Sequence, residues 1–130
     1  MPYSAVYFND ELADLIGVGD HGSTWIANPF GAAVCTAALK VIVDEGLSKN
    51  SVVMGQLFEE LVEPLKKKAI VKDIRGRGLF RCIEFNEGVS ARDFAMEAHK
   101  NYDTLFRFHG QMIRLLPPLN IKSSQLQKVI

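Results

Sequence analysis

The sequence predicts an α+β fold in which several helices pack on a small, mostly antiparallel sheet. In the first half of the chain, apolar residues recur at helical spacing over two long segments, at about 29–44 and 49–67. From Val71 onward the pattern changes, and short strand-like segments alternate with glycine-containing turns. Long helices followed by closely spaced strands are typical of the α+β class rather than of a regularly alternating α/β fold.

The composition is that of a globular domain, and it argues against several classes of partner. Of the 130 residues, 48% are hydrophobic, which is enough for a core and too many for a disordered tail. Lysine plus arginine balances aspartate plus glutamate at 15 each, so no net charge favours nucleic acid or an anionic membrane. No apolar run reaches the ~18 residues of a membrane span, and the N-terminus lacks the pattern of a secretory signal.

The two cysteines and three histidines do not form a recognisable metal or redox motif. Cys35 and Cys82 lie in apolar surroundings without the spacing of a CxxC pair, so buried free thiols are favoured over a disulfide. Free thiols fit a reducing compartment. The histidines lack the spacing of metal ligands, and no metal site is predicted.

Turn and capping residues place the individual elements. Asn9 or Asp10 is expected to cap a short helix, and Pro64 is expected to kink or end the second long helix because proline removes a backbone donor. Ser90 and Asp93 resemble a capping box, and Ser123 or Ser124 is expected to cap the last helix. The other predicted ranges are 3–8, 71–75, 79–85, 104–108 and 112–116 for strands, 11–16 for the short helix, and 17–27 for a polar loop.

Both ends of the chain have the character of internal positions. The predicted strand at 3–8 has nothing before it to pair with. The last helical stripe, which includes Leu126 and Val129, is still in phase at Ile130. We therefore expect the chain to be a piece of a longer protein.

Two short segments are candidates for chemistry. His21-Gly22-Ser23-Thr24 places backbone amides and two hydroxyls in a turn ahead of a helix, which suits a phosphate oxyanion; without a ligand, the same turn is a capping loop. Near the other end, Arg114 lies between two apolar residues, where a buried guanidinium needs a carboxylate partner. That partner is either a substrate or an acidic side chain of the same domain.

These segments, taken with three others, resemble the class-III, fold-type-I pyridoxal-phosphate aminotransferases, and among them the ornithine aminotransferase group. The resemblance covers nearly the whole chain. It rests on Pro2-Tyr3-Ser4-Ala5-Val6, His21-Gly22-Ser23-Thr24, Asn28-Pro29-Phe30-Gly31-Ala32, Ile74-Arg75-Gly76-Arg77-Gly78-Leu79 and Ile113-Arg114-Leu115-Leu116-Pro117-Pro118-Leu119.

The resemblance implies a domain division and a set of site residues. Residues 1–28 would end the large cofactor-binding domain, and residues 29–130 would form the linking helix and a small C-terminal domain that is truncated at its end. Thr24, assisted by Ser23, would bind the phosphate of pyridoxal 5'-phosphate held by the neighbouring subunit of a homodimer. Arg114 would face the active site and bind a substrate carboxylate or pair with an active-site glutamate. The family's Schiff-base lysine would lie upstream of Met1, so the isolated chain is expected to be inactive.

The resemblance also implies a reaction, and it leaves alternatives open. The intact enzyme would transfer an amino group from ornithine to 2-oxoglutarate, in the cytoplasm or the mitochondrial matrix. Ser4-Ala5-Val6 favours the ornithine group over the acetylornithine group. An acetylornithine- or 4-aminobutyrate-type aminotransferase remains an alternative, as does a stand-alone, non-catalytic binding module. The chain departs from the family at Ile26-Ala27, where the family usually has two glycines, and this departure affects the geometry of the phosphate loop.

Overall fold

The computed structural model describes residues 4–130, and the chain divides into two units that meet between Glu45 and Gly46. The first unit contains helix α1 (Asp10–Ala13), a polar loop and helix α2 (Pro29–Asp44). Asn9 caps α1, because its side chain accepts a hydrogen bond from the amide of Leu12 at 3.1 Å. The bounds of α2 are those that the sequence predicts, while α1 is shorter than the predicted 11–16.

The strand predicted at 3–8 is wrong over the part that the structure describes. Ser4 to Phe8 has no strand pairing and is exposed, and Tyr3 lies outside the described residues. An apolar run alone does not make a strand, because the backbone needs a hydrogen-bonded neighbour.

The second unit carries the rest of the chain. Its helices are α3 (Leu47–Val62), α4 (Ala91–Tyr102) and α5 (Ser123–Val129), and a short 3₁₀ turn follows α3 at Leu65–Lys67. Pro64 precedes that turn, so the predicted break in the second long helix is confirmed. Ser90 caps α4 by accepting a hydrogen bond from the amide of Asp93 at 3.1 Å, as predicted. The N-cap of α5 is Lys122 rather than Ser123 or Ser124.

An antiparallel four-stranded sheet forms the other layer of this unit. Its strands are β1 (Val71–Arg77), β2 (Phe80–Phe85), β3 (Arg107–His109) and β4 (Met112–Leu115), in the spatial order β1-β2-β4-β3. The predicted α+β class with a mostly antiparallel sheet is therefore confirmed. The strands differ from the predicted ranges at their ends, and β1 continues to Arg77, two residues beyond the predicted end at Arg75.

The core lies on one face of the sheet. Ile83 and Phe85 of β2 and Ile113 and Leu115 of β4 alternate along their strands and point to this face. They meet apolar residues of α3, α4 and α5, among which Phe58, Val62, Ala91 and Leu126 are at most 2% exposed. The helices thus cover this face of the sheet, and the intervening residues of each strand lie on its other face.

The apolar residues of α4 are only partly buried. Ala91, Ala95 and Ala98 are buried, whereas Phe94 is 40% and Tyr102 71% exposed. Both cysteines are free, as predicted, but each is partly exposed rather than buried. No helix in the described part of the chain has the length and apolar character needed to cross a membrane.

Candidate functional site

The phosphate-binding candidates lie in the first unit, in a tight turn just before α2. Residues 24–27 form the turn, and the amide of Ile26 donates to the carbonyl of Ser23 at 3.1 Å. The Ser23 hydroxyl accepts a hydrogen bond from the amide of Trp25 at 3.4 Å, which leaves its own proton free to donate. Ser23 and Thr24 are both exposed.

Thr24 has two donors with no partner within the described residues. Neither its hydroxyl nor its amide makes a hydrogen bond to any of them. A free hydroxyl and a free amide on one residue are suited to an anionic oxygen, because both donate without bringing a full positive charge. Such a donor set is suited to a phosphate group.

The first amides of α2 are already satisfied within the chain. The Asn28 side chain accepts hydrogen bonds from the amides of Phe30 at 3.0 Å and Gly31 at 3.2 Å, and Pro29 has no amide hydrogen. The sequence predicts the anion site in the turn ahead of this helix. In the structure, the available donors belong to the turn at Ser23 and Thr24, not to the first turn of the helix.

Ala27 has a left-handed backbone conformation, with φ at 55°. This conformation is common for glycine and costs an alanine about 1 kcal/mol, because its Cβ approaches the backbone. Ala27 stands where the resembled family usually has glycine. The turn therefore keeps a backbone that suits glycine and accommodates the extra methyl group with some strain.

Arg114 lies in the second unit, on the face of the sheet opposite the core. Its neighbours in β4, Ile113 and Leu115, are buried, while Arg114 itself is exposed. The expectation of a buried guanidinium is thus wrong, because alternation along a strand turns the middle residue away from its apolar neighbours. Within the described residues, no carboxylate lies within 4 Å of Arg114.

The acidic side chains on this face are engaged by other cations. Glu84 of β2 accepts hydrogen bonds from Lys72 and Arg75, each at 2.6 Å, and Arg75 also donates to Asp73 at 2.8 Å. These contacts, first that of Lys72 and then that of Arg75, hold the pKa of Glu84 below its ordinary range. The pKa of Arg75 is raised by Asp73 and then Glu84. These ion pairs give Arg75 a structural role within the sheet.

A buried arginine, Arg81, was not identified from the sequence. It is 7% exposed and lies on the helix side of β2, where its guanidinium forms an ion pair with Glu59 of α3. It also donates to the carbonyls of Gly78, Gly76 and Gly55 at 2.7, 3.1 and 3.1 Å. The guanidinium carbon is 5.2 Å from the centroid of the Phe58 ring. The signal in the sequence was the strand alternation of β2, which places Arg81 on the same face as Ile83.

The described histidines are not grouped with other possible metal ligands. His21 and His109 are exposed next to glycines. In the part of the chain from residue 4 onward, no three histidine, cysteine, aspartate or glutamate side chains are grouped as metal ligands. Ser23 and Thr24 are adjacent in the first unit, and Arg114 belongs to the second.

Comparisons with known proteins agree on one family. The family model described as aminotransferase class-III matches residues 1–130. The ornithine aminotransferase of Plasmodium yoelii yoelii is 41% identical over 98% of this chain and 31% of its own length. That of Staphylococcus carnosus is 38% identical over 100% of this chain and 32% of its own length.

Solved structures give the same answer. The structure of an ornithine aminotransferase from Plasmodium yoelii aligns with a TM-score of 0.81 at 39% identity, covering 93% of this chain and 33% of that one. An acetylornithine aminotransferase from Elizabethkingia anophelis aligns with a TM-score of 0.80 at 36% identity, covering 93% and 31%. The chain therefore spans about a third of the length of the relatives that it matches.

Proposed function

Because this chain belongs to the class-III aminotransferases, we propose that it supplies the C-terminal part of a pyridoxal-phosphate-dependent ornithine aminotransferase. The whole enzyme transfers an amino group from ornithine to 2-oxoglutarate. The observation that carries the proposal is the exposed guanidinium of Arg114, which has no carboxylate partner within the described residues. Relatives named ornithine aminotransferase, at 36–41% identity, support the choice of reaction.

The proposal includes the domain division predicted from the sequence. Residues 1–28 belong to the end of the large cofactor-binding domain, and residues 29–130 form the linking helix and the small domain. The lysine that carries the cofactor in this family belongs to the large domain upstream. The isolated chain is therefore inactive, and it contributes binding groups rather than the amine nucleophile.

Thr24 and Ser23 fit the phosphate group of pyridoxal 5'-phosphate. When bound, this cofactor would supply an electron sink that makes a proton removable from the substrate carbon that bears the reacting amine. The free hydroxyl and amide of Thr24 donate hydrogen bonds to a phosphate dianion, and the Ser23 hydroxyl adds a further donor. In a homodimer the two residues hold the phosphate of the neighbouring subunit, which links cofactor binding to dimer stability.

Arg114 fits a substrate carboxylate. Its planar guanidinium donates two parallel hydrogen bonds to a carboxylate, which fixes the orientation of the substrate as well as its position. Strand β4 pairs with β2 on one side and β3 on the other, and these pairings hold the backbone of Arg114 in place. Amino-acid and 2-oxo-acid substrates both carry the carboxylate that this contact requires.

A second candidate is an acetylornithine aminotransferase. The structure from Elizabethkingia anophelis favours it, because its TM-score and identity are close to those of the ornithine enzymes. Ser4-Ala5-Val6 favours the ornithine group. For the compartment, relatives from Drosophila melanogaster and Arabidopsis thaliana are named as mitochondrial, and we propose the mitochondrial matrix or the cytoplasm.

The Thr24→Ala variant of the full-length enzyme tests the phosphate contact. Loss of a hydrogen bond to a charged phosphate is expected to raise the Kd of pyridoxal phosphate about ten- to a hundredfold. The matched variant Thr24→Ser keeps the hydroxyl and is expected to bind nearly normally. Both are measured by titrating the apoenzyme and following cofactor absorbance, with the dimer fraction recorded at limiting cofactor. An unchanged Kd in Thr24→Ala would place Thr24 outside the site.

A further inference from the structure

Three arginines and a cysteine form one row across the exposed face of the sheet. Paired residues of neighbouring strands place Arg75 opposite Cys82, Cys82 opposite Arg114, and Arg114 opposite Arg107. Residues directly opposite in an antiparallel pair share a face and have Cα atoms about 4.5–5.5 Å apart. The side chains of Arg107 and Arg114 therefore emerge side by side from β3 and β4.

The ion pairs on this face are concentrated at the other edge. Asp73 and Glu84 are held by Arg75 and Lys72, on β1 and β2. Arg75 extends across the sheet far enough for a guanidinium nitrogen to lie 3.1 Å from the sulfur of Met112, but its charge is matched by the two carboxylates. Within the described residues, Arg107 and Arg114 form no ion pair, so two uncompensated positive charges lie next to each other.

Two like charges directly opposite each other destabilise a sheet, because their repulsion opposes strand pairing. An anion that contacts both guanidiniums converts this repulsion into binding. A dianion gains more from such a pair than a monoanion, because each added unit of negative charge is attracted by both cations.

The geometry points to Arg107 as a second carboxylate-binding residue that, with Arg114, selects a dicarboxylic 2-oxo acid as the amino acceptor. This inference rests on the proposed role of Arg114 and adds a specificity residue to it. The pair also distinguishes the two substrates of the reaction. A dicarboxylate is attracted by the doubled positive charge, whereas ornithine carries a net positive charge at neutral pH and gains nothing from Arg107.

The test is steady-state kinetics on the full-length enzyme with the variant Arg107→Gln. We expect the KM for 2-oxoglutarate to rise by up to about 5-fold, which corresponds to the range of free energies for one exposed charge contact. The KM for ornithine should stay the same or fall. Raising the salt concentration should reduce the difference between the wild type and the variant, because salt screens exposed charges.

Two competitive inhibitors of equal chain length separate charge from size. Glutarate carries two carboxylates and pentanoate carries one. Arg107→Gln should therefore raise the inhibition constant of glutarate more than that of pentanoate. Arg107→Lys keeps the charge and should restore most of the glutarate affinity. Arg92→Gln is the matched control, because Arg92 is exposed on α4, away from the sheet, and forms no ion pair within the described residues. It should leave every constant unchanged.

The outcomes separate this inference from the proposed function. If Arg114→Gln raises the KM for 2-oxoglutarate and Arg107→Gln does not, the role of Arg107 is overturned and the role of Arg114 stands. If neither variant changes substrate constants, both are overturned. If Arg107→Gln lowers the affinity for glutarate and for pentanoate equally, the selection of a dicarboxylate is overturned. Should Arg107→Gln fold poorly, Arg107→Met replaces it in the same assays, and unchanged constants for 2-oxoglutarate and glutarate in Arg107→Met would overturn the role of Arg107.

Discussion

Gly55 of α3 and Gly78 of the β1–β2 turn lie in direct backbone contact. A Cβ atom on Gly55 would lie 2.7 Å from the Cα atom of Gly78 and 2.8 Å from its carbonyl oxygen. On the other side of the contact, the Ser51 hydroxyl accepts a hydrogen bond from the amide of Leu79 at 3.2 Å. The helix is therefore held against the turn by backbone approach, and neither partner is a flexible side chain that can yield.

The Gly55→Ala variant should destabilise the second unit even though alanine is the better helix former. Alanine favours a helix over glycine by about 1 kcal/mol, but the clash with backbone costs about 1–3 kcal/mol or more. Urea unfolding followed by circular dichroism measures the net change. Gly22→Ala is the control, because a Cβ there meets nothing within 4 Å. A stabilised Gly55→Ala variant would show that the contact is looser than described.

Removing the buried guanidinium of Arg81 should cost more stability than removing the charge of its partner. In Arg81→Met, three backbone carbonyls lose their donor and Glu59 loses its ion pair, so we expect a loss of about 3–5 kcal/mol. Glu59 is 45% exposed at its side chain, and Glu59→Gln should cost no more than about 1 kcal/mol. Denaturant unfolding of both variants measures this difference, and equal losses would contradict it.

Acid should weaken the sheet through Glu84. The pKa of Glu84 is lowered in the folded chain, first by the hydrogen bond from Lys72 and then by that from Arg75. Its contribution is therefore fully present above the unfolded-state pKa of about 4.3 and is lost as the pH falls through the lower folded-state pKa. Glu84→Gln should flatten the dependence of Tm on pH below about 4.3. If the Tm of this variant falls as steeply at low pH as that of the wild type, other carboxylates are responsible for the effect.

The sequence predicted elements well where local signals and tertiary packing agree. Helix α2 begins at Pro29 after the capping residue Asn28, and its predicted bounds are those observed. Ser90 caps α4 as predicted, because its hydroxyl satisfies a free amide. The strand predicted at 3–8 is not formed over residues 4–8, because strand formation depends on a partner, which the residues of one segment do not reveal.

The two arginines show the corresponding limit for the candidate site. The apolar neighbours of Arg114 predict that it is buried, and no local signal in the sequence distinguishes Arg81. In the structure Arg81 is buried and Arg114 is exposed, because alternation in β2 and β4 decides which face each side chain occupies. The sequence shows which residues of each strand share a face. It does not show which of the two faces the helices cover. Thr24, Ser23 and Arg114 stay predictions as site residues.

Arg114→Lys in the full-length enzyme tests the central claim most directly. Lysine keeps the charge but loses the two-pronged contact with a carboxylate. We predict that kcat/KM for 2-oxoglutarate falls about tenfold or more, while the free energy of unfolding changes by less than about 0.5 kcal/mol, as at other exposed positions. Normal kcat/KM in a variant destabilised by several kcal/mol would contradict the account, because it would make Arg114 a structural residue of the small domain.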